Sequence, residues 1–421
     1  MSERNTNRTN ETLQAAILST FTVASNVEVA ERLGGFRARD WRELGTWLHA
    51  SGLALYFLEA IRGRDLFGVV PGSVVERLQQ NRLDNRDRTD SLMDEFVRLN
   101  TAFRNEGLDF LNVKGFSLGA EYCANPALRS QFDLDFWCSE DAAVQCKTLM
   151  RRLGYAMVAA SAGTLEFRSG GTAYPKISHF YQARPQKSVE IHLRPGAEML
   201  SVPRENGLLR SFVFPTLSRE QTFILHASHL AKHLRSEWTR VSWMLELYSA
   251  IAAHGSDSSF WQNVREQAIS EEKATSIGLA ALAAAKVFAF PLPLELADWT
   301  VDRLSEGVAR WVNEYAERSA TAQFPGTKFY LLLERELATD KKRFRRQRRS
   351  VLLPIRLPGS IAAPAGPRGL IRALPSHAHY FGVRLAFHLR EGLRLLSAER
   401  DWIHRADGCD RCEVREGRSI A

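Results

Sequence analysis

Five consecutive residues restrict this chain more than any other stretch: Phe132-Asp133-Leu134-Asp135-Phe136. Alternation with a period of two marks a β-strand, because successive side chains leave a strand on opposite faces. Here one face is wholly apolar and the other carries two carboxylates. The apolar face needs a packed sheet beneath it, and the acidic face needs a partner for its charge. Residues i and i+2 of a strand lie about 7 Å apart, so Asp133 and Asp135 aim at one point. Like charges held that close repel, and a divalent cation between them is the simplest relief.

The surroundings of this strand predict a mixed module. Leu108 to Val113 reads as a short strand, followed by Lys114-Gly115 and a helical segment that ends near Cys123, before the breaker Asn125-Pro126. A helix is predicted from Ser139, its N-cap, to Leu153, with Gly154 closing it. Further strands are expected near 165–168, 177–182 and 188–193. Residues 101–200 therefore read as an α/β domain. On either side the spacing is helical. Residues 1–100 form an N-terminal helical region, with Trp47, Leu48, Tyr56 and Phe57 and then Leu92, Phe96, Leu99 and Phe103 on apolar stripes. A helical domain follows over 201–338, with patterns at 218–253, 271–289 and 304–338. Residues 339–421 read as a basic run, a Pro/Gly-rich connector and a tail. The expected fold class is α+β, a mixed sheet with helices flanked by helical regions at both ends.

Composition narrows the partners. The chain has 421 residues, too many for one compact core, and its 45% apolar and 25% charged content excludes wholesale disorder. A net charge of +8 favours an anionic partner. Lys341 to Arg349 holds seven cations in nine positions; a solvated helix face is its usual explanation, with nucleic acid or anionic lipid left open. No apolar run is long enough for a membrane span, and the polar stretch Met1 to Thr12 lacks the core of a signal peptide. Five scattered cysteines make no disulfide framework. A cytoplasmic location is the expectation. Cys409-Asp410-Arg411-Cys412, with His404 before it, is half of a zinc pattern or a redox pair.

A third acid, Glu190, sits in the alternating run Val189-Glu190-Ile191-His192. Beside the Asp strand it completes a cradle of three carboxylates, with room for two ions or for one ion and a hydroxyl awaiting deprotonation. The Lys114-Gly115-Phe116-Ser117 turn offers backbone N–H groups, a hydroxyl and the positive end of a helix to phosphates. His192 shares the face of Glu190. His229 and His233 stand one helical turn apart, and with Lys232 alongside they read as a cationic wall near the nucleotide in preference to a metal site.

This order of strand, Gly-x-Ser turn, Asp-x-Asp strand and later acid resembles the polymerase-β-type nucleotidyltransferase superfamily. More closely, Leu111-Asn112-Val113-Lys114-Gly115, Leu118, Tyr122, Asn125-Pro126, Arg129 and Asp133-Leu134-Asp135 are similar to the bacterial family of uncharacterised nucleotidyltransferases. Leu153-Gly154-Tyr155, Val189 to His192, His226 to His233, Trp243 and Glu246 extend the resemblance over roughly residues 90 to 335. It differs in the Phe116 that separates Gly115 from Ser117, and in a glutamate where aspartate is commoner. The resemblance implies a nucleotidyltransferase-like fold with Mg²⁺ and an NTP, ATP first among them. Asp133, Asp135 and Glu190 would be the catalytic, metal-binding acids. Gly115 and Ser117 would hold the triphosphate, and Lys114, Arg129, His192 and Lys232 would contact phosphate or acceptor. The implied reaction moves an NMP from the NTP to an acceptor hydroxyl and releases pyrophosphate. The acceptor is unspecified: small molecule, peptide, protein or RNA. The reading from a different class is a non-catalytic nucleotide-binding or scaffold protein in a biosynthetic or regulatory gene set.

Overall fold

A computed structural model describes residues 13–161, 163–170, 180–182, 186–352 and 382–404. The polar stretch Met1 to Thr12, the Cys409/Cys412 pair and the connector prolines lie outside the described residues. So does most of the strand expected at 177–182, whose described part, 180–182, is turn and bend.

The fold is α+β, built around a mixed sheet of seven strands: β1 (Phe110–Val113), β2 (Asp133–Ser139), β3 (Ala156–Ser161), β4 (Thr164–Ser169), β5 (Lys187–Arg194), β6 (Arg204–Leu209) and β7 (Phe212–Leu217). Their order is β3-β4-β5-β2-β1-β7-β6, so the Asp-x-Asp strand β2 is central. It runs antiparallel to β1 and parallel to β5, and β1 runs parallel to β7. Strands β6 and β7 extend the sheet past the expected 101–200 segment. Three strands carry no readable alternation. Strand β3 is exposed along its whole length, β6 opens with Arg204-Glu205-Asn206-Gly207, and β7 contains Pro215. The two edge strands, β3 and β6, carry few buried side chains to reveal them, whereas β7 is interior and its proline hides it.

The pattern of β2 predicts its packing. Leu134, Phe136 and Cys138 sink into one core with Phe110, Val189, Ile191, Leu165 and Phe167. Two helices cover this face. The 34-residue helix from Gly72 to Asn105, whose last third alone has a clear apolar stripe, contributes Leu92, Phe96, Leu99 and Phe103, and Ala143–Arg152 contributes Cys146, Leu149 and Met150. Ring contacts fasten the layers, with Phe103 at 4.9 Å from Phe136 and Phe96 at 4.9 Å from Phe214, both edge-on. The long helix also grips the approach to β2. Asn85 Nδ2 donates to the carbonyls of Ala127 (2.6 Å) and Arg129 (2.9 Å), and Arg88 donates to those of Gln131 and Phe180.

A second, larger core is helical. We number the helices used below α1 (Ala54–Gly63), α2 (Gly72–Asn105), α3 (Arg219–Leu234), α4 (Val241–Ala253), α5 (Ala274–Phe288), α6 (Lys341–Leu352) and α7 (382–404). The expected helix over 218–253 is two helices, α3 and α4. Between them Ser236 and Thr239 turn their hydroxyls back onto the His233 carbonyl, at 2.7 and 2.8 Å, and stop the helix without glycine or proline. The segment expected as one helix over 304–338 is likewise interrupted around Phe324-Pro325-Gly326. A further correction concerns Gly115, where a single 3-10 turn over Gly115–Ser117 replaces the expected helix. Lys114 enters that turn at φ 57°, ψ −164°, which a helix start cannot accommodate.

Candidate functional site

The sheet register gathers the acids. Along β2, Asp135 pairs with Val113 of β1 on one side and with Glu190 of β5 on the other, while Asp133 lies opposite Ser188 and Trp137 opposite His192. Partners at one level point to the same face, so Asp133, Asp135, Glu190 and His192 emerge together on the face away from the main core. Glu166 of β4, opposite Glu190, and Thr164, opposite His192, widen the same surface. Beside the acids, Leu111, Val113, Trp137, Met199 and Leu217 form a small apolar cluster.

Two cationic or polar partners converge on the buried Asp135. Lys114 Nζ stands 2.8 Å from its Oδ1, and His192 Nε2 stands 2.9 Å from the same oxygen and 3.6 Å from Glu190 Oε2. A carboxylate only accepts, so the proton of His192 sits on Nε2; Nδ1 faces the Thr164 hydroxyl at 3.4 Å. Asp135, Glu190 and His192 each offer an atom within 4.8 Å of the others, a cluster able to hold a metal ion.

The charges are unequally compensated. Burial pushes the Asp135 carboxyl up, but the hydrogen bond from His192 and the charge of Lys114 outweigh it and hold it below the usual carboxylate range. Asp133 goes the other way, to about 6, through burial and the Asp135 charge. Glu190 rises to about 7 through burial and the charges of Asp133 and Asp135. Lys114 is raised, because the pull of Asp135, Asp133 and Glu190 overcomes the effect of its burial. Asp135 is thus served by Lys114, while the negative charge of Asp133 and Glu190 is only partly offset and both keep protons above the usual carboxylate range. The surplus, on hard oxygen donors, fits a divalent cation.

The Lys114 backbone lies in a region almost confined to glycine, at a cost of order 1–3 kcal/mol. Gly115 follows at φ 48°, and a Cβ there would lie 2.4 Å from Gln131 Nε2. That amide donates to the carbonyl of Asp133 at 2.8 Å, so the turn and the acidic strand are locked together. Ser117 does not present a free hydroxyl, since its Oγ donates to the Lys114 carbonyl at 2.7 Å. Nor does Arg129 project into the acids. Its Nη1 holds the Gly115 carbonyl at 2.8 Å and its Nε pairs with buried Glu246 of α4 at 2.8 Å, which also accepts from Tyr56 of α1 at 2.9 Å.

Helix α3 runs along the site, and burial takes the charge from the two histidines of the expected cationic wall. Burial and the nearby Lys114 charge lower His229 to about 2, and burial with the Lys232 and Lys114 charges lowers His233 to about 4. Both rings are neutral and contact Trp243, with centroids 4.7 and 4.5 Å away. Lys232 itself is exposed. Arg240, Gln131 and Tyr56 carry the site without any signal in their spacing. Arg240 donates to the Ser130 hydroxyl and its charge draws on Asp133. It sits in the turn between α3 and α4, where no periodicity points to it.

The site is thus an Asp-x-Asp strand with a third acid on the parallel neighbour and a strained Lys-Gly turn, set in a mixed sheet. The family model described as uncharacterised nucleotidyltransferase matches residues 37–289, more than half of the chain. The chain belongs to that family and is a transferase enzyme. The match begins earlier than the resemblance suggested, taking in α1, whose Tyr56 anchors Glu246, and it ends earlier, at residue 289. No curated protein matches the chain.

Proposed function

We propose that the protein transfers an NMP from an NTP, ATP first among them, to an acceptor hydroxyl, with Mg²⁺ held by Asp133, Asp135 and Glu190. The observation that carries this reading is the register that sets Asp133, Asp135 and Glu190 on one face of the sheet, with Asp135 level with Glu190 and paired with Lys114. A bound divalent cation would supply neutralisation of phosphate charge. Lys114 adds a fixed positive charge at the edge of the acids. Glu190, level with Asp135 on the neighbouring strand, would help activate the acceptor hydroxyl by taking its proton. The acceptor oxygen then bonds to the α-phosphorus, the bond from that phosphorus to the bridging oxygen breaks, and pyrophosphate leaves. His192 acts as a positioning residue, because its Nε2–H fixes the Asp135 carboxylate beside Glu190.

The test is release of pyrophosphate and labelling of an acceptor pool from α-labelled NTP. Wild type should give both, and Asp133→Ala with Asp135→Ala should lose both while its circular dichroism stays unchanged. Nucleotide binding with no pyrophosphate from any acceptor would favour the non-catalytic reading. Activity surviving the double substitution would overturn the site.

A further inference from the structure

Far from the acids, α7 (382–404) has two apolar faces. One holds Leu395 and Trp402 and is buried against the helical core. The other is exposed: Leu385, Leu389, Leu393, Leu396 and Ile403 recur at intervals of four, four, three and seven. At 100° per residue they fill a stripe about 80° wide. Leu389 is 61% exposed and Leu393 is 70% exposed. Large side chains this exposed and this aligned mark a contact surface.

Cations border the stripe. Arg390, three residues before Leu393, stands beside one edge with its side chain 60% exposed, and both it and Arg394 pair with the buried Glu391. The other edge is reached through Glu399, which is three residues past Leu396 and four before Ile403 and so neighbours both. Arg348 of α6 binds Glu399 at 2.5 Å and docks the basic helix at that border. The outward face of α6 carries Lys342, Arg343, Arg345, Arg346 and Arg349, all exposed. Together α6 and α7 hold eleven Lys and Arg against three acids. Their surplus of eight equals that of the entire chain, so the rest of the protein is balanced.

We propose that this face, the leucine stripe of α7 with α6 at its border, docks on the surface of an anionic lipid bilayer. Aligned leucines entering the headgroup boundary beside a row of cations are the two signals such binding needs. No helix among the described residues is long and apolar enough to cross a membrane, so the mode is lying on the surface. A second copy of the chain is disfavoured because stripe-to-stripe pairing would bring the two cationic borders together. Nucleic acid uses the basic face alone and leaves the leucines without a role. The single aromatic of the run, Phe344, is half-buried and unavailable for base stacking.

Co-sedimentation of the full chain with phosphatidylcholine vesicles, with and without phosphatidylglycerol, tests this. Binding is expected only with phosphatidylglycerol and should fall as salt rises. Leu389→Ser with Leu393→Ser should lower partitioning by roughly tenfold or more, and Arg345→Ser, Arg346→Ser and Arg349→Ser should lower it comparably. All five positions are exposed, so melting curves should match wild type. No binding to phosphatidylglycerol vesicles would overturn the proposal. Binding that ignores the leucines and is competed by duplex DNA would also overturn it, in favour of a polyanion site. A leucine-dependent dimer in sedimentation velocity, without vesicle binding, would assign the stripe to a second copy.

Discussion

Single residues set the chemistry of the acidic face. The sign of its pH dependence follows from Glu190 and Asp133, whose values rise from 4.5 and 3.8 to about 7 and about 6 on folding. The folded state therefore holds protons that the unfolded state has released, and these two groups subtract stability as pH rises through that interval. A divalent cation displaces the same protons, so its affinity should climb with pH and level off above about 7. The melting-temperature increase caused by Mg²⁺ should be larger above pH about 7 than below about 6, and an increase equal at both would contradict the assignment of these ligands. Gly115 is the second sensitive point. Gly115→Ala forces a Cβ onto Gln131 at positive φ, costing about 1 kcal/mol or more. It also disturbs the amide that holds Asp133. Transfer activity should fall further than that loss of stability explains, as parallel melting and rate measurements would reveal.

At the scale of elements, the turn before β2 depends on helices distant in sequence. Arg129 and Glu246 join it to α4, Tyr56 brings in α1, and Asn85 and Arg88 bring in α2. Removing one member of a buried pair leaves the other charge unmatched, at roughly 3–5 kcal/mol. Arg129→Met or Glu246→Met should each lower stability by that amount in chemical denaturation. The double variant should recover part of the loss, and additive losses would contradict a direct pair. The histidines of α3 illustrate why spacing alone misled. His229 and His233 stand one turn apart as expected, yet burial and nearby cations keep both neutral. Sequence gives the helix face; the charge state depends on what packs against it.

For the molecule as a whole, α2 binds the two cores into one unit. Its Val75 and Leu78 belong to the helical core, and its Leu92, Phe96 and Phe103 to the core of the sheet. Losing either core breaks the same helix. Far-ultraviolet dichroism and tryptophan fluorescence should therefore report coincident unfolding midpoints, and separated midpoints would mean independent units. Much of this was legible beforehand, including the α+β class, the β2 alternation and the flanking helices, because burial periodicity is written locally in the chain. Strands β3 and β6 were not, since edge strands bury too little to leave a pattern, and in β7 Pro215 obscures the signal. The residue types able to hold a cation, Asp133, Asp135 and Glu190, and the strand face each occupies are properties of the sequence itself. That Glu190 stands level with Asp135, that Lys114 spends its charge on Asp135, and that Arg129 turns instead to Glu246 came only with the tertiary structure. Contacts between residues 21, 55 and 117 positions apart are fixed by strand register and by burial from several elements at once, and no local stretch encodes either.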